Sequence, residues 1–398
     1  MKYIVMLGDG MADYAIEELG GKTILEYAKT PTFDKLAKTS ELGLCKSVPN
    51  DMPAGSDVAN LSIMGYDPKR YHTGRSPLEA LSIGVPMGEH DLSFRVNLVT
   101  LSDEENYEDK TMVDYSSDEI STEESTLLIK SLQEKFGDEI RSFFPGISYR
   151  HILLLHDDTK KYTLTPPHDI SGQKVTNYLP NDPMILDLMK RSHELLKTHP
   201  VNLARIEKGL HPANSAWIWG EGKKPMLDSF KEKFGVSGSV ISAVDLIKGI
   251  GKAAGLKSIE VEGATGNIKT NFEGKAHAAL EALLAGDDFV YIHIEAPDES
   301  GHRGELDNKI KSVEKIDAVV EHVTKGLEEA GHDYRILIMP DHPTPMSKRT
   351  HTHDAVPFML YDSTNAEKGA ERFNETTCKE YGVYVEAGYT MMTKLINK

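Results

Sequence analysis

Cysteine is nearly absent, with only Cys45 and Cys378 in the chain. Two thiols exclude a disulfide-stapled scaffold and a zinc site built on thiolates, and they fit a reducing compartment, so a cytoplasmic protein is expected. Long hydrophobic runs are missing as well. No stretch approaches the roughly 18 apolar residues of a membrane-crossing helix, so no membrane partner is expected. The short apolar run in MKYIVMLGDG lacks the length and small-residue cleavage site of a signal peptide and reads as a first buried strand. Basic residues are in deficit: 45 Lys and Arg against 62 Asp and Glu leave a formal net charge of −17. That balance argues against nucleic acid, whose phosphates reward clustered cations. It leaves room for a small anionic ligand, because metal ions can reverse the field inside one cleft. Nothing in the sequence fixes an oligomeric state.

What is present is ordinary globular composition, 39% hydrophobic and 27% charged over 398 residues, enough for two domains. Strand-length apolar runs at Tyr3–Leu7, Val240–Ala243, Ile259–Val261, Phe289–Ile294 and Ile336–Met339 alternate with helical patterns at Pro31–Lys38, Asp245–Ala254, Lys275–Ala285 and Asn308–Glu329. Thr30 is the expected N-cap of the helix opened by Pro31. Alternation of this kind predicts an α/β fold with a doubly wound, mostly parallel sheet, its strands apolar because both faces are covered. The middle breaks the pattern. The acidic stretch from Ser102 to Ser125 reads as a solvated loop, strands follow at Tyr149–Leu155 and around Tyr162–Leu164, and a helix starts at Asp182 with Pro183 in its first turn. The expected organisation is a discontinuous core, 1–87 and 216–398, with an inserted smaller α+β domain at 88–215.

Metal-ligand side chains recur just beyond the core strands. Asp9 follows the first strand in LGDG, Asp298 and His302 lie in PDESGH, Asp341 and His342 in PDH, and His351 in THTHDAVPF. In an open parallel sheet such positions converge on one edge. Mixed carboxylates and imidazoles suit Mn, Co, Zn or Mg, and two sets of ligands suggest two ions about 4 Å apart, an arrangement common in phosphoryl transfer. Singly these residues say little, since most of the sixteen histidines will be structural and an Asp after a strand often caps a helix. In AGSDVANLSIMGYDP, small residues precede Ser56 and an apolar periodic segment follows, so Ser56 falls at or near a helix N-terminus. There it is either a cap or a nucleophile whose alkoxide the helix terminus stabilises. Arg75, Arg150, His151, His168 and Lys269 are the candidate anion-binding side chains, each equally readable as surface charge.

The set LGDGMAD, MPAGSDVANLSIMGYDP, TGRSPLEA, ISAVDLIKGIG, EVEGATG, EAPDESGH and PDHPTP resembles the archaeal-type cofactor-independent phosphoglycerate mutases of the alkaline phosphatase superfamily. The resemblance spans nearly the whole chain and is weakest in the acidic insertion. It implies an alkaline-phosphatase-like core and an isomerase of glycolysis that acts on a small phosphorylated carboxylate, interconverting 3- and 2-phosphoglycerate without 2,3-bisphosphoglycerate. It implies that Ser56 carries the phosphoryl group, that Asp9, Ser56, Asp341 and His342 surround one divalent metal, and that Asp298, His302 and His351 hold the other, with manganese among the candidates. His351 is preferred over His353 because of its spacing to Val356-Pro357-Phe358. The inserted domain would supply part of the substrate cleft and close over it. A homoserine kinase-like phosphotransferase of the same family, a metal-dependent phosphatase and a non-catalytic binding protein remain alternatives.

Overall fold

The structure is a computed structural model that describes residues 1–158 and 160–397. It divides into two compact units, Met1–His72 with Met226–Lys398, and Thr73–Pro225. The first carries an eight-stranded mixed sheet in the spatial order Tyr384–Val385, Glu41–Cys45, Val356–Asp362, Tyr334–Met339, Lys2–Gly8, Phe289–Ile294, Gly238–Ile241, Lys257–Ile259. Its centre is parallel: Lys2–Gly8 pairs with Phe289–Ile294 on one side and Tyr334–Met339 on the other. These strands are apolar almost throughout because both faces are covered. On one face Val313, Ile316, Val320 and Val323 of the helix Leu306–Glu329 join Ala276, Ala279 and Leu283 of the helix Phe272–Leu284 in the main core. The register sets Gly8 opposite Ile294 and Leu7 opposite Met339, so the segments that leave these three strands start side by side on one edge.

The second unit is an antiparallel five-stranded sheet. Leu92–Leu101 lies between Arg150–Leu155 and Ser215–Lys223, and Met112–Asp114 and Arg141–Phe144 complete it. The helices Thr122–Phe136 and Pro183–Leu196 bury Leu128, Leu132, Ile185 and Leu188 in the core of this sheet. The Asp182 carboxylate accepts from the N–H groups of Met184 and Ile185, a cap that explains why this helix begins where it does.

Three local expectations fail. Tyr162–Leu164 is not a strand: Tyr162 is buried by edge-on packing against Phe94, with ring centroids 5.0 Å apart, and its hydroxyl donates to Asp158 at 2.6 Å, so burial comes without ladder pairing. The acidic stretch is not all loop. It contains the strand Met112–Asp114 and the start of the helix Thr122–Phe136, capped by Ser121, whose hydroxyl accepts from Glu124 N–H at 3.2 Å. Its buried residues, Tyr107, Met112 and Ile120, are too irregularly spaced to leave a period. Thr30 occupies the N-cap position but makes no capping bond, and its buried hydroxyl finds no partner among the described residues. The first N–H groups of that helix are satisfied from a distance, by Asp317, which accepts from Thr32 at 3.2 Å and Phe33 at 2.7 Å. The antiparallel strands Glu41–Cys45 and Val356–Asp362 and the long strands Leu92–Leu101 and Ser215–Lys223 are additions to the sequence reading.

Candidate metal centre and active site

The edge beyond the three central strands collects acidic and imidazole groups at high burial. Asp9, Asp298 and Asp341 are 2%, 6% and 0% exposed, and His342 is 0%. Burial, then the neighbouring Asp341 and Asp298 carboxylates, pushes Asp9 well above the usual carboxylate range. Burial also opposes ionisation of Asp298, but hydrogen bonds from His302 and His351 outweigh it and hold that carboxyl well below the usual range. The same bond to Asp298 raises His302 to about 9. Lys275 is brought down to about 8 by burial, and Lys309 is lowered by burial while paired with Asp13.

Two groups of ligand atoms stand out. Asp9, Asp341 and the unanticipated His293 form one, and Asp298, His342 and His351 the other. His342 borders both. Its Nε2 lies 3.4 Å from Asp341 Oδ2, 3.6 Å from Asp9 Oδ1 and 3.1 Å from Ser56 Oγ, while its ring stacks on His351 at 3.8 Å. His302 adds Nε2 at 3.3 Å from Asp298 Oδ2 and 2.9 Å from His351 Nε2.

The donor set fits divalent cations. Nδ1 of His302 faces the Arg349 carbonyl at 2.9 Å and Nδ1 of His351 faces the Ala54 carbonyl at 2.7 Å. A carbonyl only accepts, so both rings carry a proton on Nδ1, and their Nε2 atoms converge on Asp298. A divalent cation in place of the Nε2 protons that bond Asp298 would take both imidazoles and the carboxylate as ligands. Asp9 Oδ1 is likewise buried and takes no hydrogen bond among the described residues. Gly10, at φ 60°, admits this crowding. A Cβ there would stand 2.5 Å from Thr344 Oγ1 and 2.8 Å from Asp298 Oδ1.

Ser56 is the first residue of the helix Ser56–Ile63, whose N-cap is Gly55. Its hydroxyl is therefore not a cap and faces His342 instead. One turn on, Asn60 donates to the Ser56 carbonyl at 2.9 Å and to Asp341 Oδ2 at 2.8 Å, and receives Tyr291 O–H on its Oδ1 at 2.7 Å. The helix that starts at Ser56 is thus tied directly to a candidate ligand.

A family model described as 2,3-bisphosphoglycerate-independent phosphoglycerate mutase matches residues 37–202. The protein of that name from Methanosarcina barkeri is 50% identical over 387 residues, 96% of this chain and 95% of its own. The chain belongs to this family. A probable 2,3-bisphosphoglycerate-independent phosphoglycerate mutase of Geobacter sulfurreducens is 49% identical over 403 residues, covering 100% of both chains. Among solved structures, a Pyrococcus horikoshii protein superposes with a TM-score of 0.83 at 29% identity, over 100% of this chain and 96% of that one.

For this member of the family, the structure brings together Asp9, Ser56, Asp298, His302, Asp341, His342 and His351. His353 sits outside the cluster, with Nε2 on the Met52 carbonyl at 2.8 Å. The remaining candidates fare differently. Arg75 is exposed and pairs with Glu79 at 3.2 Å. Arg150 is exposed, with its guanidinium 5.5 Å from the Tyr149 ring centroid. His168 is exposed, its ring edge-on to Trp219 at 5.4 Å. Lys269 is exposed in the first unit. His151 is 2% exposed, and burial lowers it to about 3, so it is a neutral core histidine whose Nδ1 accepts from Gly146 N–H at 3.0 Å.

Sequence reasoning missed Arg95, His293, Asn60 and Thr344. Arg95 bonds Glu79 at 3.0 Å, lies over Trp219 at 4.2 Å and feels the charges of Arg75 and Arg150, so the second unit carries a guanidinium cluster. His293 faces Asp9 Oδ2 through Nε2 at 3.0 Å and Ser242 Oγ through Nδ1 at 3.2 Å. His293 interrupts an otherwise apolar strand, which is the signal that could have exposed it. A third acid–imidazole group, Asp114, Asp118 and His211, lies toward the surface of the second unit, where Asp114 accepts from Ser116 and Asp118 N–H and Asp118 faces His211 Nδ1 at 2.9 Å.

Proposed function

We propose that the chain interconverts 3-phosphoglycerate and 2-phosphoglycerate without a bisphosphoglycerate cofactor, through a phosphoryl group carried on Ser56. The observation that carries the reading is the setting of Ser56: the first residue of a helix, free of capping duty, with Oγ 3.1 Å from His342 Nε2 inside the acid–imidazole cluster. Asp9, Ser56, Asp341 and His342 would hold one divalent cation, and Asp298, His302 and His351 the other. Such ions, when bound, supply positive charge that favours a serine alkoxide and offsets the phosphoryl oxygens.

In the first step Ser56 Oγ bonds to phosphorus as the bond from phosphorus to O3 of the substrate breaks, and the serine proton ends on the departing O3. In the second, the 2-hydroxyl of the same glycerate bonds to phosphorus, the bond to Ser56 Oγ breaks, and the hydroxyl proton returns to the serine. Backbone N–H groups at the start of the helix Ser56–Ile63 favour an anion at this position in both steps. The unit Thr73–Pro225 carries Arg75, Arg95 and Arg150, whose guanidinium groups are of the kind suited to a carboxylate and a phosphate.

The experiment is turnover of 3-phosphoglycerate by purified protein supplied with Mn, Co or Mg and no bisphosphoglycerate, beside phosphorylation of homoserine by ATP. Mutase turnover is expected. An absolute need for added 2,3-bisphosphoglycerate, or kinase activity in place of mutase activity, would overturn the reading.

A further inference from the structure

Thr344, in PDHPTP, occupies a place in the cluster that neither its motif nor its residue type announces. It is 0% exposed. Its hydroxyl donates to Asp298 Oδ1 and lies 3.4 Å from His342 Nδ1. A threonine hydroxyl has one proton. With that proton directed to the Asp298 carboxylate, toward His342 the oxygen can only accept, so His342 carries its proton on Nδ1. Its Nε2 lone pair is then left facing Ser56, Asp9 and Asp341. One hydroxyl therefore touches two candidate ligands, Asp298 and His342, which the two-cation reading assigns to different ions.

Its position is fixed from behind. The Thr344 carbonyl accepts from Lys309 Nζ at 2.7 Å, and the same ammonium donates to Asp13 Oδ2 at 2.7 Å, with both side chains essentially buried. Asp13 in turn accepts from Met346 N–H with both oxygens at 3.2 Å, clamping the backbone two residues further on. Two glycines close the slot. A Cβ on Gly10 would stand 2.5 Å from Thr344 Oγ1, and one on Gly301 would stand 2.7 Å from its carbonyl.

We propose that Thr344 is a positioning residue for both halves of the metal centre, aiming Asp298 as a ligand and setting the tautomer of His342, with the buried Lys309–Asp13 pair as its anchor. The proposal rests on the two-cation reading given above. Groups that orient metal ligands typically change affinity 10- to 100-fold when removed.

The test is manganese binding, measured by calorimetry and by spin counting on chelator-stripped full-length protein, for wild type, Thr344→Val and Thr344→Ser. Valine keeps the shape and removes the hydroxyl, whereas serine restores the hydroxyl. Wild type should bind two ions. Thr344→Val should bind at least one of them 10- to 100-fold more weakly, and Thr344→Ser should return to within about threefold of wild type. Melting of the metal-free forms reads the structural role separately, and Thr344→Ala, which cannot overpack the slot, must show the same selective loss of affinity. Two ions bound by Thr344→Val at wild-type affinity would overturn the positioning role while leaving the metal centre intact. A wild type that binds no manganese would overturn the metal centre and this proposal together.

Discussion

Replacing Ser56 by alanine separates a nucleophile from a structural hydroxyl, because the structure assigns very different sizes to the two effects. The residue is half-buried at the first helical position, Gly55 is the cap, and its hydroxyl contacts His342 Nε2 at 3.1 Å. Losing such a bond costs about 0.5–1.5 kcal/mol. The better helix propensity of alanine returns roughly 0.5 kcal/mol of that. The net change is at most about 1 kcal/mol, or about 2–4 °C in Tm for a unit of this size. The loss of rate belongs to another scale. Removing a nucleophile abolishes the covalent route, a loss on the order of 10⁴-fold or more in kcat. That corresponds to roughly 5 kcal/mol in the barrier. The assay pairs the Tm and mutase rate of Ser56→Ala with acid-quenched mass spectrometry of the wild type, which should place phosphate on Ser56. A variant that keeps more than a tenth of the wild-type rate, or a phosphoryl group trapped on another side chain, refutes the reasoning.

The remaining predictions follow from the same geometry. Stripping divalent cations should abolish turnover and lower Tm. Manganese at about 100 times its Kd should restore roughly 3 kcal/mol of stability, and a Tm indifferent to manganese would contradict the ligand cluster. His151, lowered by burial to about 3 against an ordinary value near 6.5, is neutral when folded and charges when unfolded. The unfolded state then binds more protons as pH falls below about 6.5, so the second unit should lose about 2 kcal/mol between pH 7 and 5. His151→Gln should flatten that decline in denaturant titrations at the two pH values. Thr30→Val, which removes a buried hydroxyl that has no partner among the described residues, should hold or raise stability by up to about 1 kcal/mol. Asp317→Ala should cost about 1–2 kcal/mol, because it uncaps Thr32 and Phe33. Equal losses in the two variants would mean that the threonine does cap.

The central parallel strands were legible because burial on both faces leaves a continuous apolar run, and Phe289–Ile294 was read to the residue. The strand Val356–Asp362 was harder. It opens with Val356-Pro357, and the proline removes a ladder donor, so local chemistry spoke against a strand that tertiary pairing with Glu41–Cys45 nevertheless makes. Thr30 failed as a cap for a related reason. The rule names a local side chain, and the fold supplied Asp317 from 285 residues away in sequence. Propensity describes what a segment offers; only the assembled core decides which offer is taken.

The same distinction runs through the site. Asp9, Asp298, Asp341 and His342 were visible because a parallel sheet gives the residues that follow its strands a common destination, and sequence shows where strands end. The groups that hold them answer to no such rule. Asn60 reaches Asp341 across 281 residues, His293 reaches Asp9 across 284, and Thr344 reaches Asp298 across 46. Asn60 looks like a polar interruption of a helix, His293 like a misplaced histidine in a strand and Thr344 like part of a turn. Each becomes intelligible only when its partner is a candidate ligand whose remaining lone pair must face a cation. A buried polar residue that breaks the pattern of a core element close to such a ligand is thus a positioning candidate even when its own motif is silent, because the unsatisfied alternative costs about 1–3 kcal/mol.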